Sequence, residues 1–239
     1  MWNFPPTRIL VPVDFSDGSG RAVGVAAALA SRTGAGLHLI HAEVLEVPAY
    51  FTREQIEALE RERAVARARA DGFLGEFARA HGADSFTADV IEGLPTPTIL
   101  EAAANADLVI MGTHGRRGPA RWWLGSVAER VIHQSPVPVL VVRTGSDVPG
   151  ADIFRHPMLL SSGADARLAE VAGSLAQIFG GEPIATTAVC AADLASERHA
   201  TLIVASSAGR HGTLLSHPAE QWLRSCTLPM LFVPVAEAL

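Results

Sequence analysis

The sequence has few cysteines, and their spacing excludes the usual structural uses of sulfur. Cys190 and Cys226 form neither a CxxC pair nor a Cys/His spacing typical of metal ligands. Two thiols are also too few for the disulfide framework of a small secreted protein. We therefore interpret both cysteines as small apolar residues and expect a reducing, cytoplasmic location.

An excess of basic charge and long apolar runs are also missing. Lys and Arg number 19 against 25 Asp and Glu, so the formal net charge is −6. A field of this sign does not favour nucleic acid or an anionic membrane surface. The chain has no apolar run of about 18 residues, and its first residues lack a basic stretch followed by a long apolar one. We expect no nucleic-acid partner, no membrane span and no export.

The sequence does contain enough apolar residues to bury a large core. Of its 239 residues, 49% are hydrophobic, which excludes intrinsic disorder. Before residue 145, short runs rich in Val, Ile and Leu alternate with stretches of helical spacing, which predicts βαβ units in an α/β fold. The predicted strands are Arg8–Val13, Gly36–Ala42, Ser85–Ile91, Asp107–Met111 and Val137–Val142. The predicted helices are Gly20–Arg32, about Thr52–Ala80, Pro97–Ala104 and Ser126–Gln134. Because the strands lack strict alternation, we expect a doubly wound parallel sheet covered on both faces.

A degenerate internal repeat follows a linker at residues 144–150. Residues 200–212 align with residues 106–118 at an offset of 200 minus 106, or 94, and residues 227–233 align with residues 136–142 at an offset of 91. We therefore predict two domains, 1–145 and 151–239, each a doubly wound parallel-sheet unit, the second shortened by one βα unit.

The second half has four predicted strands, which are Met158–Ser161, Pro183–Val189, Thr201–Ala205 and Pro229–Val233. Periodicity leaves open whether the second of these stands in the place of strand 2 or strand 3. A four-stranded sheet of this size is marginal alone. We therefore expect the halves to pack as a pseudo-dimer within the chain, through strands 137–142 and 229–233, and leave further pairing of chains open.

One loop carries a spacing typical of a phosphate site. Gly112, Gly115, Gly125 and Ser126 form the pattern G-x2-G-x9-G-S between a strand and a helix, and no Walker lysine accompanies them. Glycines at such a junction allow positive φ and let backbone amides approach a ligand. The helix that follows offers unpaired N–H donors and a partial positive charge. The site falls beyond the carboxyl ends of the strands, where open parallel sheets bind ligands.

This spacing resembles that of the universal stress protein family, specifically its ATP-binding subclass. The segments ILVPVDFS, GTHGRRG and LGSVAERVIHQSPVPVLVV carry the resemblance, which covers residues 1 to about 145. The later half resembles a shortened domain of the same family. The resemblance implies a Rossmann-like fold with strand order 3-2-1-4-5 and bound ATP, with or without Mg²⁺, in a cytoplasmic protein of the stress response.

The resemblance also implies the residues that contact the nucleotide. Asp14 would contact the adenosine, with Val13 beside it, and Ala42 would offer main-chain groups to the adenine edge. Met111 and Gly112 would line the ribose side. The phosphates would be held by Gly115, Gly125, Ser126 and Val127. His114 and Arg116 lie in the same loop, at positions that the signature does not require.

Several of these residues also have a purely structural interpretation. Ser126 with Glu129 forms an S-x-x-E capping box, so the serine would only start its helix. Asp14, Ser16 and Asp17 are each candidates to cap the following helix. His38 and His41 lie in a predicted strand, where a core or edge position is expected rather than a metal site.

The equivalent loop of the second half is damaged. Ser206 stands where Gly112 does, Gly209 matches Gly115, and Ser216 and His217 replace Gly125 and Ser126, with Pro218 next. We therefore expect one adenine nucleotide per chain.

Because no carboxylate pair or GxSxG elbow occurs, we expect a regulatory binding protein rather than an enzyme. The alternatives are a nucleotide-independent scaffold and a slow ATP hydrolase or phosphoryl-transfer protein.

Overall fold

The computed structural model describes residues 2–44, 53–113, 124–143, 150–160, 166–186, 199–207 and 227–234. Within the helix that starts at residue 53, only the backbone is described up to residue 66. Up to residue 143, the described strands and helices alternate, as the pattern of apolar runs predicts. No helix among these residues is both long and apolar enough to cross a membrane.

The first half supplies five strands and four helices in the described residues. In chain order they are β1 (Arg8–Pro12), α1 (Asp17–Thr33), β2 (Gly36–Glu43), α2 (Arg53–Ala80), β3 (Thr87–Glu92), α3 (Pro95–Ala103), β4 (Leu108–Gly112), α4 (Ser126–Gln134) and β5 (Val139–Val142). The second half adds a short 3-10 turn (Asp152–Phe154) and then β6 (Pro157–Leu160), α5 (Ala166–Phe179), β7 (Ile184–Thr186), β8 (Leu202–Ser206) and β9 (Met230–Val233).

The nine strands of the described residues belong to a single sheet of order β3-β2-β1-β4-β5-β9-β8-β6-β7. Neighbouring strands are parallel except where the two halves meet, since β5 and β9 pair antiparallel with Val139 opposite Phe232 and Val141 opposite Met230. The sequence predicts two sheet units, and the structure joins them edge to edge. The joint is formed by the last strand of each half, where the sequence analysis places it.

Helices cover both faces of this sheet. Apolar residues of α1, α2 and α5, among them Ala26, Leu74 and Val171, pack on one face. Ile99 of α3 and Val131 of α4 pack on the other. Because both faces are covered, the strands are buried as continuous apolar runs rather than alternating ones. The joined sheet therefore has a core layer on each side.

Strand β7 takes the place of a second strand rather than a third. It pairs in parallel with β6, with Met158 opposite Ile184, and β6 pairs on its other side with β8. The first strand of the other half, β1, has the same arrangement, because it pairs with β2 on one side and β4 on the other. The described residues of the second half contain no counterpart of β3.

Hydrogen bonds repeat between the halves at the offsets read from the sequence. The Thr113 amide donates to the Val142 carbonyl at 3.2 Å, and the Ser207 amide donates to the Val233 carbonyl at 3.0 Å. These donors are 94 residues apart (207 minus 113), and these acceptors are 91 apart (233 minus 142). The same backbone contact is thus built twice.

A buried carboxylate ties the amino-terminal segment to the sheet. Asp107, which is 1% exposed, accepts hydrogen bonds from the amides of Asn3, Thr7 and Arg8 and from the Thr7 hydroxyl at 2.6 Å. Burial raises the pKa of this carboxyl, but the hydrogen bonds outweigh burial and leave the pKa below its ordinary value. In the same segment Trp2 packs on both core layers, and the Arg167 guanidinium of α5 lies 4.1 Å from the centre of its ring.

Candidate functional site

The described site residues lie at the carboxyl ends of β1, β2 and β4 and at the start of α4. Parallel strands end together, so residues far apart in sequence meet there. Of the positions that the sequence predicts, eight are described, which are Val13, Asp14, Ala42, Met111, Gly112, Gly125, Ser126 and Val127. His114, Gly115 and Arg116 lie outside the described residues.

Asp14 shapes the turn that leads from β1 into α1. Its Oδ1 accepts hydrogen bonds from the Ser16 amide at 3.1 Å and the Ser16 hydroxyl at 2.6 Å. Ser16 is the N-cap of α1, and its hydroxyl accepts from the Ser19 amide. The cap is therefore Ser16 rather than Asp14, and Asp14 holds the cap in place. In the described part of the chain, the other carboxylate oxygen, Oδ2, accepts no hydrogen bond.

Beside Asp14, the hydrogen-bond ladder between β1 and β2 ends with a side-chain contact to the Val13 carbonyl. The Val13 amide donates to the Ile40 carbonyl at 2.8 Å, which extends the ladder by one bond. The Val13 carbonyl does not continue it among the described residues, and the ring nitrogen Nδ1 of His41 lies 2.7 Å from this carbonyl oxygen. No hydrogen bond between the Ala42 amide and Val13 is formed, although this amide is the next donor of a parallel ladder. Among the described residues, the amide of half-buried Ala42 thus has no ladder partner on β1.

The ring of Phe15 packs against the ring of His41. Its φ of 61° is rare for a residue with a side chain. The Phe15 ring lies 4.6 Å from the His41 ring and 4.8 Å from that of Phe73, measured between centroids. The Phe77 ring meets Phe15 edge-on at 5.4 Å. Sequence reasoning missed both Phe15 and His41, because periodicity carries no signal for a side chain that bonds a neighbouring strand's carbonyl.

At the end of β4, Met111 is buried and Gly112 touches the first turn of α1. A Cβ on Gly112 would lie 2.7 Å from the carbonyl carbon of Gly18. Gly112 and Gly125 do not use the positive φ that a glycine allows, since φ is not in the left-handed range at either residue. At Gly112 a glycine is required by the close approach of two backbones instead.

Helix α4 begins without a side-chain cap. Its N-cap is Gly125 (φ −62°, ψ 147°), and Ser126 is the first helical residue, so the capping-box interpretation of Ser126 is wrong. The Gly125 amide donates to the Thr113 carbonyl at 2.7 Å, which fixes the start of α4 at the end of β4. Ser126 is exposed, and the first bond along the helix runs from the Glu129 amide to the Gly125 carbonyl at 2.9 Å. The amides of residues 126–128 therefore precede the helical ladder.

One titratable group of α4 has a shifted pKa. Burial lowers the pKa of His133, and nearby Glu129 raises it by a smaller amount. The Nε2 atom of His133 is buried and has no hydrogen-bond partner among the described residues. This environment favours the neutral imidazole.

The described residues contain no group of three or more His, Cys, Asp or Glu side chains that could hold a metal ion. Several other residues lie outside the described part of the chain. They are Trp122, Trp123, both cysteines and the second-half positions Gly209, Ser216 and His217. Ser206 ends β8, as Gly112 ends β4.

Comparison with known proteins shows the family of the chain. Residues 6–143 match the model of the universal stress protein family. A universal stress protein of Thermus aquaticus is 36% identical over 137 residues, which cover 56% of this chain and 97% of the relative. One of Mycobacterium bovis is 35% identical over 140 residues, which span 45% of that longer relative.

The fold of the whole chain has a solved counterpart. A universal stress protein from Archaeoglobus fulgidus superposes with a TM-score of 0.67 and 20% identity, and the alignment covers 97% of each chain. The shared architecture thus includes the second half. The chain belongs to the universal stress protein family.

Proposed function

We propose that this protein binds one adenine nucleotide per chain, with the base at the ends of β1 and β2 and the phosphates at the start of α4. The observation that carries the proposal is the uncapped start of α4, which is fastened to the end of β4 through Gly125 and Thr113. This is the edge where open parallel sheets bind ligands. The resemblance of the loop to the ATP-binding subclass of the family supports it.

The start of α4 has the chemistry of a phosphate site. The amides of Ser126, Val127 and Ala128 precede the first helical hydrogen bond, and a helix start carries about half a positive charge. The exposed Ser126 hydroxyl adds a donor. Because Gly125 has no Cβ, the backbone there is accessible to a bulky anion.

The ends of β1 and β2 supply groups suited to an adenosine. Asp14 keeps one carboxylate oxygen without a hydrogen bond from the described residues, and that oxygen would accept from a ribose hydroxyl. The main chain of Ala42 has no ladder bond to Val13 and would meet the edge of the base. Both groups come from strand ends, which hold them at fixed positions.

We further propose that the bound nucleotide regulates conformation or partner choice and is not turned over efficiently. At the end of β1, the site has the carboxylate of Asp14. Its Oδ1 already accepts hydrogen bonds from the amide and the hydroxyl of Ser16. A general base must reach the proton that it abstracts. A carboxylate fixed in a turn is better placed to bind a hydroxyl than to move.

The direct test is to denature protein purified without added nucleotide and to identify the released small molecule by mass. We expect ATP or ADP at close to one molecule per chain. If no nucleotide is released and the native purified protein does not bind added ATP, the proposal fails. A nucleotide-independent scaffold is then the better description. If Mg²⁺ drives ADP release well above the protein-free rate, the protein is a hydrolase and the claim of slow turnover fails.

A further inference from the structure

We propose that His41 is a positioning residue that keeps the Ala42 main chain open for the base by occupying the Val13 carbonyl. The inference rests on the proposed nucleotide site and adds to it a side chain outside the G-x2-G-x9-G-S loop. Its basis is the geometry at the end of the β1–β2 ladder.

The ladder stops one bond early at this point. Residues Arg8 to Pro12 pair with Gly36 to Ile40, and the Val13 amide still donates to the Ile40 carbonyl. In a parallel ladder the next bond would run from the Ala42 amide to the Val13 carbonyl. That bond is not formed among the described residues, and His41 Nδ1 stands 2.7 Å from the carbonyl instead.

The direction of this contact is fixed by its chemistry. A carbonyl only accepts hydrogen bonds, so Nδ1 of His41 must carry the proton. The Phe15 ring, 4.6 Å away, packs against the imidazole and restricts its rotation. Phe15 itself is braced by Phe73 and Phe77 of α2. His41 is therefore held as a side-chain donor where a backbone donor would otherwise be.

Within the described part of the chain, the consequence is a donor and an acceptor at Ala42 that no backbone group of β1 pairs with. Ala42 lies two residues beyond Ile40, so its amide and carbonyl face the β1 side as those of Ile40 do. Adenine presents an acceptor, N1, beside a donor, N6, which complements this pair. Guanine presents a donor beside an acceptor, in the reverse order. His41 would thus support adenine over guanine without touching the base.

The role predicts a specific change when the imidazole is removed. In His41→Leu the Val13 carbonyl loses its partner, and an unpaired buried carbonyl is costly. The donor that a parallel ladder would supply to this carbonyl is the Ala42 amide, which would close the ladder. The base would then lose its donor, although Ala42, Asp14 and α4 remain.

The experiment measures the Ala42 amide before it measures nucleotide binding. Amide hydrogen exchange is followed by NMR on the full-length protein without nucleotide, in the wild type, His41→Leu and His41→Asn. We expect the Ala42 amide to exchange about tenfold or more slowly in His41→Leu than in the wild type. Because the Asn amide stands close to where Nδ1 does and can donate, we expect His41→Asn to exchange like the wild type.

Nucleotide affinity is then compared in the same variants by calorimetry with ATP and GTP. We expect His41→Leu to weaken ATP binding by about tenfold, with a smaller effect on GTP, so that the preference for ATP falls. His41→Asn should restore most of it. The control is His38→Leu, which removes the other histidine of β2 and its 2.8 Å contact with Asp89 but leaves the Val13 carbonyl untouched. It should change neither exchange at Ala42 nor the ratio of affinities.

The outcomes separate this inference from the proposed function. Unchanged exchange at Ala42 in His41→Leu overturns the role of His41, whatever the affinity for ATP. An equal loss of ATP and GTP affinity overturns it as well, because a merely structural effect would not change the preference. If exchange responds as expected but the wild type binds no nucleotide, the nucleotide site itself is refuted.

Discussion

Gly112 at the end of β4 and Gly18 in the first turn of α1 are in backbone contact. A Cβ on Gly112 would come within 2.7 Å of the Gly18 carbonyl carbon and 3.0 Å of its carbonyl oxygen. The obstacle is backbone, which cannot swing aside as a side chain can. The first glycine of the motif is therefore required for packing.

Gly112→Ala should destabilise the protein by about 1–3 kcal/mol, the usual cost of forcing an extra methyl group into a packed interior. The measurement is the free energy of unfolding in urea. Gly173→Ala in α5 is the control, because a Cβ there meets no atom within 4 Å, and alanine in a helix is expected to be neutral or stabilising by up to about 1 kcal/mol. Equal stabilities of the two variants would contradict the packing role.

Asp107→Asn should cost about 3 kcal/mol near neutral pH, because several donors lose a charged acceptor. The amides of Thr7 and Arg8 and the Thr7 hydroxyl all donate to Oδ2. Asp84→Asn is a suitable control, since Asp84 is exposed. A cost within about 0.5 kcal/mol, typical of surface positions, would show that the amino-terminal segment does not depend on this carboxylate.

The same variant should change the dependence of stability on pH. The pKa of Asp107 is lower in the folded protein than in the unfolded chain, so the unfolded chain binds more protons and stability rises with pH. The contribution is complete above the unfolded value of about 3.9 and is lost as the pH falls through the folded value. Unfolding in urea at pH 7 and at acid pH should show a smaller difference for Asp107→Asn than for the wild type.

His133→Leu should reduce the loss of stability on mild acidification. Burial lowers the pKa of His133 in the folded protein, so the unfolded chain takes up the proton first as the pH falls below about 6.5. The histidine stabilises the fold above that pH and ceases to do so as the pH falls through its folded value. Comparing the free energy of unfolding at pH 7.5 and pH 5.5 tests this. The same pH dependence in variant and wild type would rule it out.

Gly125→Val should weaken ATP binding by tenfold or more while the fold persists. The backbone at Gly125 (φ −62°, ψ 147°) is accessible to valine, so the main structural cost is a poorer N-cap, about 1 kcal/mol. The side chain would instead obstruct the approach of phosphate to the start of α4. The control is Gly36→Val at the amino-terminal end of β2, which is the end away from the site. A Cβ there meets only the Thr7 carbonyl oxygen, at 3.9 Å. Calorimetry showing unchanged affinity in Gly125→Val would count against this site.

Most strands follow from the sequence to within two residues, because buried parallel strands are continuous runs of Val, Ile and Leu. Strand β4 is observed at Leu108–Gly112 and is predicted at Asp107–Met111. Helix α1 begins at Asp17, three residues before the predicted start. The glycines of its first turn are poor helix formers, but Gly18 allows the contact with Gly112, and Gly20 lies against the His81 ring.

The sequence predicts those parts of the candidate site that depend on where strands and helices begin and end. It does not predict contacts between a side chain of one strand and the backbone of the next. The start of α4 at Ser126 follows from its pattern, and Ala42 follows from the family resemblance. Positive φ, which glycines allow, occurs at Phe15 and not at Gly112 or Gly125. Neither that strain nor the bond between His41 and the Val13 carbonyl leaves a trace in periodicity, because each depends on how β1 and β2 end beside each other.

A calorimetric titration of nucleotide-free protein with ATP measures most directly whether each chain has one nucleotide site. The expected result is saturation at one ATP per chain, with the heat lost in Gly125→Val. Saturation at two per chain would mean that the second half also binds, and no saturable heat at all would contradict the proposed site.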